Sequence, residues 1–166
     1  MANITRKGKP VTTSGELPKI GSRAPDFRLV NAQLQDVTLA DFKGKKKLLS
    51  IVPSLDTGTC ALSTKKFNDF AKARSDVAVL TISADLPFAQ SRFCSAEGIE
   101  NAKTLSMMRN RHFAKDYGVL IETGDYTGIC ARAVVALDEN DNVIYTEQVP
   151  EISQEPNYDA AIAAFK

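Results

Sequence analysis

Leu48-Leu49-Ser50-Ile51-Val52-Pro53 decides the architecture, because an almost continuously apolar run ended by a proline reads as a strand buried on both faces of a sheet. A loop follows at once, Ser54-Leu55-Asp56-Thr57-Gly58-Thr59, and then the periodicity changes. Phe67, Phe70, Ala71 and Arg74 fall at i, i+3, i+4 and i+7, with Lys65, Lys66, Asp69 and Lys72 around them, so Cys60 opens an amphipathic helix. Val77-Ala78-Val79-Leu80-Thr81-Ile82 is a second buried strand. A strand-helix-strand unit therefore forms the first half of the fold.

Downstream, Asp85 is the N-cap candidate and Pro87 the first-turn proline of a helix running to Glu97, where Gly98 stops it. A short third helix is expected over residues 109–117, closed by Gly118. The apolar run 132–137 and Asn142-Val143-Ile144-Tyr145 flank Asp138-Glu139-Asn140-Asp141, the strongest hairpin signal in the chain. Tyr158, Ala161, Ile162 and Phe165 mark a closing amphipathic helix whose first turn begins at Pro156. Upstream, Lys7-Gly8-Lys9-Pro10 lies between Ile4-Thr5 and Val11-Thr12-Thr13, which predicts an N-terminal β-hairpin, read as a decoration. Residues 26–30 and Val37-Thr38-Leu39 read as two short strands. The order β-α-β-α-α-β-β-α predicts an α/β, thioredoxin-like fold: a central mixed β-sheet flanked by helices. One domain over residues 1–166 is expected, without internal repeat or linker.

Composition removes several function classes. The chain has 166 residues, 43% hydrophobic and 25% charged, enough for a core that needs no metal or staple. Twenty-one Lys plus Arg against 20 Asp plus Glu leave a net charge of +1, no field for drawing in nucleic acid. No apolar run approaches the roughly 18 to 20 residues needed to cross a bilayer. The basic N-terminal stretch has no apolar segment behind it, so a soluble, cytoplasmic and reducing setting is expected. Cys60, Cys94 and Cys130 stand 34 and 36 residues apart, unlike a secreted disulfide framework. With one histidine, His112, and no C-x-x-C pair, no metal site is expected. His112 reads as a polar helix position, and Lys43, Lys45, Lys46 and Lys47 as a solvated loop. The absence of GxGxxG, GxxxxGK and G-x-S-x-G lowers the dinucleotide, nucleotide and serine-hydrolase readings.

What remains is thiol chemistry. With Thr57 as N-cap, its hydroxyl is placed to accept from the backbone N–H of Cys60, three residues on. The free N–H groups and the positive end of the helix dipole favour an anion there, so the sulfur is expected as a thiolate. Pro53 removes a backbone donor and stiffens the loop that shields it. The bland alternative for Cys60 is a small buried hydrophobe at a helix start. Arg132, within an apolar strand, needs a partner, and a thiolate suits it; a solvent-facing edge position is the alternative. Cys94, beside Phe93 on the second helix, is either core packing or a second reactive thiol.

Pro53-Ser54-Leu55-Asp56-Thr57-Gly58-Thr59-Cys60 is similar to the peroxiredoxin motif P-x-x-x-T-x-x-C. Ser83-Ala84-Asp85-Leu86-Pro87-Phe88-Ala89-Gln90-Ser91-Arg92-Phe93-Cys94 resembles the signature of the bacterial thiol peroxidases, the atypical two-cysteine peroxiredoxins. The resemblance runs over nearly the whole chain. It implies Cys60 as the peroxidatic cysteine and Cys94 as the resolving cysteine of the same chain. Thr57 and Arg132 then activate the thiolate and orient the peroxide, and Pro53 is the shield. It also implies a homodimer without metal or organic cofactor, recycled by thioredoxin, acting on alkyl hydroperoxides alongside hydrogen peroxide. Cys130 has no role in this pattern and reads as a small buried side chain. Disulfide bonding needs Cα atoms within about 7 Å, so cysteines on two helices require a helix end to unwind or move. A dithiol exchanger is disfavoured by the 34-residue gap, and a redox-sensing module is the non-enzymatic alternative.

Overall fold

In a computed structural model, which describes residues 2–166, a hairpin of β1 (Asn3–Arg6) and β2 (Lys9–Thr12) stands beside a seven-stranded mixed sheet. The sheet contains β3 (Leu29–Val30), β4 (Asp36–Val37), β5 (Lys46–Ile51), β6 (Val77–Ser83), β7 (Lys103–Ser106), β8 (Ala133–Leu137) and β9 (Val143–Gln148). Their spatial order is β4-β3-β7-β6-β5-β8-β9. The helices are α1 (Gly58–Ala73), α2 (Pro87–Glu97), α3 (His112–Asp116) and α4 (Tyr158–Ala163). β5 runs parallel to β6 and antiparallel to β8, so the apolar run at its centre pairs on both edges.

Both faces of these strands are covered, which explains why their sequences do not alternate. Leu49, Ile51, Leu80, Ile82 and Val135 pack with Phe113 and Ala114 of α3 and with Ile4 and Val11 of the hairpin. Leu48, Val79, Val134 and Ala136 pack on the other face with Phe67 and Phe70 of α1 and Ala161 of α4. The thioredoxin-like arrangement expected from the element order is the one formed.

Several local expectations need correction. Residues 37–39 do not continue as a strand: Asp41 accepts from the Thr38 N–H at 2.8 Å, which turns the chain into a short 3-10 helix, Leu39–Phe42. β7 was not expected, because Lys103-Thr104-Leu105-Ser106 is short and lacks a period; its parallel pairing with β6 makes it a strand. α3 starts at His112 because the Asn110 side chain accepts from the His112 N–H at 3.0 Å and forms a turn there. α4 begins at Tyr158, where Asn157 caps it by accepting from the Ala160 N–H at 3.0 Å, rather than at Pro156. Arg74 lies at the end of α1 on the surface, paired with Asp76 at 2.8 Å, instead of on the buried stripe.

The lysine run is not a solvated loop throughout. Lys46 and Lys47 belong to β5, and Lys47 is fully buried with its ammonium on the Asp141 carboxylate. At two glycines the conformation is decisive. Gly98 ends α2 with φ +68°. Gly118, at φ +69°, lies so close to the Glu16 backbone that an added Cβ would stand 2.1 Å from its carbonyl oxygen.

Candidate active site

Pairing to β6 extends one residue past β5, through the Val52 N–H to the Ile82 carbonyl at 3.0 Å, and Pro53, which has no N–H, ends it. The loop then folds on itself. The Thr57 hydroxyl donates to the Ser54 carbonyl at 3.1 Å, and the Ser54 hydroxyl accepts from the Asp56 N–H at 3.2 Å. Thr57 is the N-cap residue of α1, as expected, but its hydroxyl makes no capping bond to Cys60. The single hydroxyl proton is committed to the loop carbonyl.

Cys60 is the third residue of α1 and fully buried, packed with Val52, Leu55 and Phe93. Its carbonyl accepts from the Ser63 and Thr64 hydroxyls at 3.1 and 2.7 Å. Arg132 lies one residue before β8 and is 2% exposed, which overturns the solvent-facing alternative. Its Nε donates to the Ile152 carbonyl at 2.8 Å and its Nη1 to the Cys60 sulfur at 3.2 Å. Among the described residues no carboxylate pairs with this guanidinium, so the sulfur is the one group beside it able to carry an opposing charge.

A cavity of about 80 Å³ opens against Arg132, lined also by Pro53 and Thr57 together with Arg6, Lys7 and Tyr126, while Cys60 lies behind its wall. Such a volume admits a small polar group and is far below the roughly 300–1,000 Å³ of a typical ligand or cofactor pocket. The hairpin is thus more than a decoration, since it supplies Arg6 and Lys7. Nothing in the local sequence marked them or Tyr126; pairings with distant segments, Thr5 with Glu151 and Arg6 with Asp125 and Tyr126 among them, bring the hairpin to the site. Among the described residues no cluster of three or more His, Cys, Asp or Glu side chains is arranged to hold a metal.

Cys94 is elsewhere. It sits half-buried on α2 and lines a separate cavity of about 550 Å³ with Asp36, Ser91, Lys103 and Thr104. Burial pushes its thiol up, against smaller opposing effects from Thr104 and Lys103. All three thiols are free. The structure therefore gathers Pro53, Thr57, Cys60 and Arg132 and leaves Cys94 outside the group. Phe93, its neighbour, bridges the two regions by packing against both α1 and the Cys60 cluster. Cys130 is buried, its Sγ 3.6 Å from Met107 Sδ, and burial pushes its thiol up to about 12. Asp85 does not cap α2: Leu86 is the N-cap and Pro87 the first helical residue, while the Asp85 carboxylate binds the Ser54 loop.

A buried cysteine at a helix start thus faces an arginine in a thioredoxin-like fold. Residues 19–162 match the Redoxin family model. A thiol peroxidase from Corynebacterium glutamicum is 49% identical over 164 residues, covering 99% of each chain. A solved structure of a peroxiredoxin-like protein from Aquifex aeolicus superposes with a TM-score of 0.92 at 42% identity, over 98% of this chain and 95% of that one. A thiol peroxidase from Chromobacterium violaceum gives 0.91 at 25% identity, over 98% and 94%. The chain belongs to the bacterial thiol peroxidase family, a thiol-dependent peroxidase class of enzymes.

Proposed function

We propose that the protein reduces hydrogen peroxide and alkyl hydroperoxides to water and alcohols with Cys60 as the attacking thiolate. The observation that carries this reading is the Arg132 guanidinium 3.2 Å from a buried sulfur otherwise surrounded by apolar side chains. The thiolate electron pair forms an S–O bond to one peroxide oxygen as the O–O bond breaks. The leaving alkoxide or hydroxide takes a proton, and Cys60 is left as a sulfenic acid. Arg132 and the free N–H groups of the first helical turn stabilise the charge moving onto the leaving oxygen. The Thr57 hydroxyl, anchored on Ser54, holds its lone pairs toward the incoming peroxide, and Pro53 excludes bulk water.

Cys94 of the same chain then displaces hydroxide from the sulfenic sulfur; the two thiol-derived atoms form a disulfide and one water leaves. Because Cys94 lines a different cavity in the reduced protein, this step requires part of α2 to leave its place. Thioredoxin, as the external dithiol, reopens the bond by exchange and restores both thiols. The working unit is a homodimer of single-domain chains in the cytoplasm, and no metal or organic cofactor takes part. Cys130, buried against Met107, takes no part either.

Mass spectrometry after one equivalent of peroxide, with free thiols blocked, tests the reading. A Cys60–Cys94 link in the unmodified sequence, Cys60 sulfenic acid in Cys94→Ser, and no oxidation above background in Cys60→Ser are the expected results. Peroxidase activity retained by Cys60→Ser, or a link through Cys130, would overturn it.

A further inference from the structure

Asp85 is a carboxylate held by three hydrogen bonds near the site, and the reaction as proposed does not use it. Its Oδ1 accepts from the Ser54 hydroxyl at 2.7 Å, and its Oδ2 from the Leu55 N–H at 2.8 Å and the Ser83 hydroxyl at 2.7 Å. Among the described residues no cation pairs with it, so it acts as a charged acceptor for three neutral donors. Two of those donors belong to the loop that sets Thr57 and the start of α1. The third belongs to the end of β6.

The same carboxylate stands two residues before α2, the helix that carries Cys94. Its backbone is fixed as well: the Asp85 carbonyl accepts from the Ser106 hydroxyl at 2.5 Å and its N–H donates to Ser83 Oγ at 3.3 Å. One turn into α2, the fully buried Gln90 donates to Ser83 Oγ and to the Leu105 carbonyl, both at 3.0 Å. Beyond Gln90 this hydrogen-bond anchoring ends. Phe93 still packs against α1 and the Cys60 cluster, but Arg92, Ser95, Ala96 and Glu97 are exposed, and the ion pair back to α1 is the partly exposed Lys65–Glu97 contact at 2.6 Å.

We infer that Asp85 is a positioning residue which holds the Ser54–Leu55 loop for attack by Cys60 and pins the first turn of α2, so that the movement of Cys94 occurs beyond Gln90. This rests on the reading of Cys60 as the peroxidatic and Cys94 as the resolving cysteine. Asparagine at this position is neutral and has one acceptor oxygen, so the charge-assisted bonds to the loop are weakened. The loss falls on peroxide attack, which needs the loop, and not on disulfide formation, which needs α2 to open.

The test separates the two steps by rapid-quench thiol trapping. In the Cys94→Ser background, Asp85→Asn is expected to slow sulfenic acid formation at Cys60 by about tenfold, and Ser54→Ala by about threefold. With Cys94 present, the rate of disulfide formation after the first oxidation stays equal or rises in both variants. An unchanged oxidation rate, or an equal fall in both steps as general destabilisation produces, overturns the inference. If Asp85→Asn does not fold, Ser54→Ala, which removes one donor at the loop, decides alone. Absence of Cys60 sulfenic acid in the otherwise unaltered Cys94→Ser protein would instead overturn the peroxidase reading.

Discussion

Arg132 divides its guanidinium between a backbone carbonyl and a sulfur, 2.8 and 3.2 Å away, and that geometry needs a planar fork rather than a point charge. Arg132→Lys keeps the charge and reaches only one of the two acceptors. The expected outcome is a fall of about tenfold or more in the second-order rate of Cys60 oxidation, with the fold intact by circular dichroism. A rate equal to that of the unaltered protein would mean that charge alone suffices. At this scale the candidate site was largely legible: Cys60 and Pro53 follow from strand-to-helix chemistry, and a guanidinium in an apolar run pointed to a partner, with a solvent-facing edge position left open. Its limit was hydroxyl orientation. The sequence reading had the Thr57 hydroxyl accepting from the Cys60 N–H, whereas it donates to the loop carbonyl of Ser54 and makes no capping bond. Asp85 failed for a related reason, because a carboxylate before a proline is a good local cap but three donors from two other segments are better.

Elements with a strong period or a sharp punctuation mark were legible, and those defined by partners were not. β5, β6, α1 and the β8–β9 hairpin announce themselves, while β7 exists through its register with β6 and the 3-10 helix through the Asp41 side chain. The N-terminal hairpin was visible as an element but not as part of the site. Glu151 is what places it there: its carboxylate accepts from the Ser153 and Gly8 N–H groups at 3.0 and 2.9 Å and from the Thr5 hydroxyl at 3.1 Å. These bonds, the two backbone donors foremost, hold its carboxyl down to about 2 from an ordinary 4.5. A depressed carboxyl stabilises the fold fully above the unfolded value and ceases to do so as pH falls through the folded one. Glu151→Gln is therefore expected to lower Tm at pH 7, and the gap from the unaltered protein to close between about pH 4.5 and 2. A gap independent of pH would remove Glu151 from this role.

Across the whole molecule, the sheet joins distant parts of the chain at its centre, with Lys47 of β5 opposite Leu137 of β8. A lysine at such a place is costly to bury, and its presence was hidden in what looked like a solvated basic run. Asp141, reached through the β8–β9 turn, neutralises it. Breaking a buried pair from one side leaves a charge without compensation, so Asp141→Asn is expected to cost about 3 kcal/mol, or a fall in Tm of about 6–12 °C. The double variant with Lys47→Met is expected to recover most of that loss in thermal unfolding; no recovery would show that Asp141 matters for its turn instead.

The same long-range pairing has a bearing on how the protein is made. β5 gains its second neighbour only when residues 133–137 have been synthesised, some 90 residues after it, which at ribosomal speed takes about 5 to 20 s. For most of that interval Cys60 is already part of the chain and Arg132 has not yet been added. The growing polypeptide thus carries its sulfur without the cation that faces it in the finished fold, a pairing made only once the last third of the chain has closed over the sheet.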